Sequence, residues 1–116
     1  MTLTLPWPPS KLSPNQCLHF AVLAKEKAKY RQVCFMLAKA GLPETLPVGN
    51  MHLYIVFQPP QNRLYDMDNL LSRMKSGLDG VAEAWGVNDK CFRPVTIDMG
   101  PRVKDGLVTL TFGEPL

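Results

Sequence analysis

The sequence predicts an α/β (or α+β) fold: one domain over residues 1–116, with two main helices on a mixed four-stranded sheet. Three observations predict it. Segments with the two-residue alternation of strands flank two segments with the 3.6-residue period of amphipathic helices. Prolines and glycines punctuate the boundaries between them. The chain of 116 residues, 46% hydrophobic and 20% charged, is large enough for one core without staples. The element order is β-α-β-α-β-β.

Thr2–Leu5 alternates polar and apolar residues as a short strand. Pro6-Trp7-Pro8-Pro9-Ser10 ends it, because three prolines withhold backbone donors and dictate an irregular loop. Ser13-Pro14 has the form of a helix start, with serine as N-cap and proline at the first helical position. Leu23, Tyr30, Val33, Cys34 and Leu37 then share one side of a helical wheel, opposite Lys25, Lys29, Gln32 and Lys39. Gly41 and Pro43 stop that helix.

Met51–Gln58 is rich in β-branched and aromatic residues and reads as a central strand, closed by Pro59-Pro60. Beyond the polar loop Gln61-Asn62-Arg63, the residues Leu71, Met74, Leu78, Val81, Ala82 and Trp85 mark a second amphipathic helix ending at Gly86. Gly77 and Gly80 inside it cost about 1 kcal/mol each relative to alanine. Either the helix packs closely against a neighbour there, or it is shorter than its apolar pattern. Val95–Met99 and Leu107–Phe112, joined through Asp105-Gly106, read as a terminal hairpin.

Composition excludes several function classes. The apolar run Met51–Phe57 is far shorter than the ~20 residues of a membrane helix, so no membrane partner is expected. Met1–Trp7 has no basic region or small-residue cleavage site and shows no signal peptide. Cys17, Cys34 and Cys91 form no C-x-x-C pair, which disfavours a zinc knuckle or a disulfide scaffold and makes a reducing cytoplasm the expected compartment. The net charge of +3 hides an asymmetry: residues 1–65 hold seven Lys/Arg, two Glu and no Asp, whereas all six aspartates lie in residues 66–116.

The chemistry is densest over Tyr65–Asp89. Asp66 and Asp68 lie two apart just before a helix, so on extended backbone both carboxylates point the same way. Such a pair repels itself unless a cation sits between, and a hard ion such as Mg²⁺ takes carboxylate oxygens while keeping several waters. The alternative is a helix cap, where free N–H groups favour carboxylates. Asp68, Ser72, Lys75 and Asp79 share one helical stripe, which places Lys75 beside the acids or leaves an ordinary solvated face. Asn88-Asp89, directly after the helix stop, either returns a third carboxylate toward the first two or is turn chemistry.

Three blocks together resemble the RusA-type Holliday-junction resolvase family. They are Leu5-Pro6-Trp7-Pro8-Pro9-Ser10, then Asp66-Met67-Asp68-Asn69-Leu70, then Gly86-Val87-Asn88-Asp89. Leu12-Ser13-Pro14-Asn15, Met74-Lys75 and Leu78-Asp79-Gly80 are similar to the phage and prophage branch. The resemblance implies a homodimeric endodeoxyribonuclease of a bacterial host cell, phage or prophage encoded, that resolves four-way DNA junctions by paired nicks. It implies Mg²⁺, with Mn²⁺ as a substitute and no organic cofactor, held by Asp66, Asp68 and Asp89. Better-known members carry a catalytic lysine where this chain has Ser72; Lys75, one turn on, is the expected replacement and Arg73 the less well-placed one. Asn88 stands where a second acid is common, and Cys17 and Phe20 stand where related phage sequences carry arginine and tryptophan.

In that chemistry the metal polarises the scissile phosphate and activates a water, and Lys75 stabilises the developing charge. Lys11, Lys25, Lys29, Arg63 and Arg73 are the expected DNA contacts, with Lys27, Arg31 and Lys39 as further basic candidates; outer-face lysines otherwise serve solubility. His19 and His52 lack partners at metal-ligand spacing, Trp85 and the cysteines read as packing residues, and Trp7 reads as a core anchor or, in its proline-rich loop, a base-stacking platform. Two alternatives accompany this reading: a nuclease on other branched DNA, and a non-catalytic junction-binding protein, motivated by Ser72.

Overall fold

Side-chain alternation along extended backbone decides which residues reach the core. In β1 (Thr2–Pro6), Leu3 and Leu5 are buried between exposed threonines. In β2 (Met51–Gln58), Met51, Leu53, Ile55 and Phe57 are buried and the alternate residues half-buried. With β3 (Phe92–Met99) and β4 (Leu107–Phe112) these form one sheet in the order β1-β4-β2-β3. The computed structural model describes residues 1–14, 18–46 and 49–113. Two helices, α1 (Phe20–Ala40) and α2 (Met67–Trp85), complete an α+β domain in the expected element order.

The sheet is mixed: β4 is antiparallel to both β1 and β2, whereas β2 and β3 run parallel, with α2 as the crossover. This corrects the expected terminal hairpin, since β3 and β4 are not neighbours. The chain leaving β3 is fastened across the end of β2, where Val103 N–H donates to Pro59 O at 3.0 Å and Arg102 Nε to Pro60 O at 2.9 Å. It thereby delivers β4 to the far side of β2. Asp105 and Gly106 turn the chain at φ 65° and 69°. A Cβ on Gly106 would lie 2.9 Å from Pro60 and 3.0 Å from Trp7, so the turn needs glycine for space as well as for conformation.

Helix α1 departs from expectation in its start and its buried face. It begins at Phe20, with His19 Nδ1 accepting the Ala21 N–H at 3.2 Å. Ser13 is extended after a 3-10 turn at Ser10–Leu12, and its hydroxyl accepts from Asn69 Nδ2 at 2.7 Å; it braces α2 instead of capping α1. Asn15 and Cys17 lie outside the described residues. The buried stripe is Tyr30, Cys34 and Ala38, while Val33 and Leu37 are exposed together with Phe20, Val22 and Met36.

Helix α2 explains that rotation. Its glycines are sites of close approach: a Cβ on Gly77 would lie 2.6 Å from the Tyr30 ring, and one on Gly80 2.4 Å from Arg31 O. The backbones can meet only where side chains are absent, so the Tyr30–Cys34 row faces the Gly77–Gly80 row. Tyr30 Oη donates to Pro6 O at 2.7 Å and Trp85 Nε1 to Ala38 O at 3.0 Å, so both polar tips are satisfied inside the core. Gly86, at φ 67°, closes α2 with its N–H on Ala82 O and Glu83 O. No described helix is long and apolar enough to cross a membrane.

Candidate functional site

Because β1 and β2 both run antiparallel to β4, and β3 runs parallel to β2, the carboxyl ends of β1, β2 and β3 share one edge of the sheet. Ligands of open α/β sheets gather at such edges. Here Trp7, following β1, meets Tyr65, following β2, edge to face at 5.5 Å. Asp66 follows directly and is the N-cap of α2, its Oδ1 accepting from Asp68 N–H at 3.0 Å and Asn69 N–H at 3.4 Å. Asp68 stands exposed in the first turn. The cap and the acidic pair are thus the same residues, and the cap uses one Asp66 oxygen.

Farther along α2, Lys75 gathers the later acids. Its ammonium donates to Asp79 Oδ1 at 3.1 Å, one turn on, and to Asp89 Oδ2 at 2.5 Å across fourteen residues. Asp89 opens a 3-10 turn capped by Asn88, whose Oδ1 accepts from Lys90 N–H at 2.9 Å. Asn88 therefore does do turn work, and that turn aims Asp89 at α2. The hydrogen bond from Lys75 holds the Asp89 carboxyl below its ordinary range, and the same bond raises the Lys75 ammonium above its own.

Asp66, Asp68 and Asp89 are not drawn into one group: among the described residues no three His, Cys, Asp or Glu side chains form a set that could hold a metal ion. Helix rise gives the reason. Lys75, which holds Asp89, lies nine residues beyond Asp66, about 13 Å along the axis. The structure brings Lys75, Asp79 and Asp89 together midway along α2 and leaves Asp66 and Asp68 at its start.

The expected DNA contacts divide. Lys11 and Lys29 share Glu26, at 3.7 and 3.9 Å, while Lys25 is exposed. Arg63 stacks over Tyr65 at 4.8 Å. Arg73 corrects the expectation: it is buried, donates through Nη2 to Pro8 O at 2.6 Å and lies 5.7 Å from the Trp7 ring. Burial lowers its pKa, and it anchors the proline loop to α2 where a surface arginine was expected. His52 meets Thr96 Oγ1 at 2.7 Å across β2 and β3.

Sequence reasoning missed a cavity of about 400 Å³ between the helices, lined by Leu12, Lys27, Leu71, Ser72, Lys75, Ser76 and Asp79. The Ser72/Ser76 spacing of one turn was its legible signal; Lys27 reaches it only through the helix crossing.

No family model matches the chain. It is similar to an uncharacterized protein of Xylella fastidiosa (strain Temecula1 / ATCC 700964), with 37% identity over 117 residues, covering 95% of this chain and 75% of that protein. At that identity and coverage, the chain belongs to the same family as the Xylella fastidiosa protein.

Proposed function

We propose that this protein is a structure-specific endodeoxyribonuclease acting on four-way DNA junctions, as the resemblance to RusA-type resolvases implies. The observation that carries the reading is the Lys75–Asp89 contact, because it joins the third block of the resemblance to the helix opened by the second. The exposed Asp68 and the partly committed Asp66 suit Mg²⁺ in donor chemistry, since that ion commonly takes one or two carboxylates plus substrate phosphate. Mn²⁺ serves as a substitute. When bound, such an ion polarises the scissile phosphodiester and lowers the pKa of a coordinated water. Asp89, the third carboxylate of the resemblance, is held by Lys75 in this structure, so a three-carboxylate centre does not fit the arrangement seen.

The chain's own residues have separable roles. Asp66 fixes the start of α2 through its cap, which uses Oδ1 and leaves Oδ2 outside the cap. Lys75 supplies positive charge beside the strand to be cut and keeps Asp79 and Asp89 from repelling DNA. Exposed Lys25 and Arg63, with Lys11 and Lys29, supply phosphate contacts. A homodimer relates two such sites by its two-fold axis, matching the two opposed strands of a two-fold symmetric junction.

The test is incubation of the purified protein with a synthetic four-way junction in Mg²⁺ and in EDTA. Paired nicks in Mg²⁺ alone support the reading. A non-catalytic junction binder is the second reading, favoured by Ser72 in the family's lysine position; tight binding with no nicks in Mg²⁺ or in Mn²⁺ would establish it.

A further inference from the structure

We infer that the cavity between α1 and α2 is a nucleotide subsite that grips one backbone phosphate of the DNA through Lys27 and Ser76. The inference deepens the proposed function and rests on it. Three observations converge. The cavity, about 400 Å³, is within the range of small-ligand sites. Ser76 lines it, and its Oγ is buried without a hydrogen-bond partner among the described residues; turned into the cavity about χ1, that hydroxyl is a donor that a bound acceptor would satisfy. Lys27 also lines it and makes no ion pair with a described residue, unlike Lys11, Lys29, Arg31 and Lys75.

The remaining lining suits a nucleotide better than a lone ion. Leu12 and Leu71 form an apolar wall for a sugar or base edge. Ser72 adds a second hydroxyl one turn from Ser76. Asp79 is the one acid among the described lining residues, and Lys75 holds its carboxylate at 3.1 Å, which offsets its repulsion of a phosphate. Lys27 is then the uncompensated charge. Because Lys75 belongs to both the cavity and the Asp89 contact, a phosphate held here sits beside the lysine proposed to supply positive charge to the strand being cut.

The experiment is anisotropy binding of a synthetic four-way junction in EDTA, which removes cleavage from the readout. Lys27→Ala is expected to weaken binding about 5–10-fold and to reduce the slope of log affinity against log salt by about 1. Ser76→Ala, which keeps helix propensity, is expected to weaken binding about 2–5-fold without changing that slope. A scan of single methylphosphonates then identifies the phosphate: one position should weaken wild-type binding and have no further effect in Lys27→Ala. If the wild type binds the junction but every methylphosphonate effect persists in Lys27→Ala, the subsite is wrong and the functional reading stands. If the wild type does not bind the junction, both fall.

Discussion

Lys75 Nζ donates to Asp89 Oδ2 at 2.5 Å, tying the middle of α2 to the 3-10 turn that leads into β3. The pair is half open to solvent, so its net worth to stability is about 0.2–1 kcal/mol, too little to explain the geometry by stability alone. Lys75→Ala is therefore expected to leave the urea midpoint nearly unchanged while lowering junction cleavage at least tenfold. Full cleavage by a folded Lys75→Ala protein would remove Lys75 from the mechanism.

Asp66 has two separable duties. Asparagine is as good an N-cap as aspartate, whereas alanine is poor. Asp66→Asn should thus retain wild-type stability, and Asp66→Ala should lose about 1 kcal/mol in denaturant titration. Equal losses in both variants would mean that the carboxylate charge, not the hydrogen bonds from Asp68 and Asn69, holds the start of α2.

Ser72 is exposed on α2 and stands where the resembled family carries lysine. Ser72→Lys is expected to fold normally and to change neither cleavage nor binding by more than a few-fold, because Lys75 already fills the lysine role. A large gain in rate would show that Lys75 does not fill that lysine role in the natural chain.

The helix crossing gives a stability test. Alanine at Gly80 should gain about 1 kcal/mol of helix propensity, yet its Cβ would meet Arg31 O at 2.4 Å, and backbone cannot step aside cheaply. Net destabilisation of about 1–3 kcal/mol is expected. Gly77→Ala meets the Tyr30 ring and Cys34 Sγ instead, and should be milder if that ring shifts. A stabilised Gly80→Ala protein would contradict the crossing described here.

Burial pushes the Cys34 thiol up to about 11, and burial, with Cys34 as the next cause, raises the Tyr30 phenol above its ordinary range. Both groups are neutral when protonated, and both folded pKa values exceed the unfolded ones. Their contribution is complete at neutral pH and is lost as pH climbs past the ordinary thiol range toward the folded value. Stability should therefore fall from about pH 9 upward. Site-resolved alkylation at pH 8 should label half-buried Cys91 well before Cys34.

Much of this was legible in local sequence. Met51–Gln58 is assigned with the observed bounds, because a strand buried on one face by four large apolar residues has no helical competitor. Gly86 and the acidic cap likewise announce both ends of α2. The hairpin expectation failed because Asp105-Gly106 and the flanking alternation are local signals, while the pairing of β4 with β1 and β2 is decided by long-range burial. The start of α1 failed because Ser13 serves Asn69, a partner far away in sequence. At the site, Asp66, Asp68 and the Lys75–Asp79 spacing could be read directly. The burial of Arg73 and the cavity beside Lys27 could not, since both depend on where α1 and the proline loop cross α2.

The central claim is that the acidic start of α2 cuts branched DNA, and Asp66→Asn tests it most directly. Its cleavage of a four-way junction in Mg²⁺ is measured alongside its binding affinity and its stability. The account expects cleavage lost by at least a hundredfold, with folding unchanged and junction affinity equal or higher because a negative charge near phosphate is gone. Wild-type cleavage by a folded Asp66→Asn protein would contradict it.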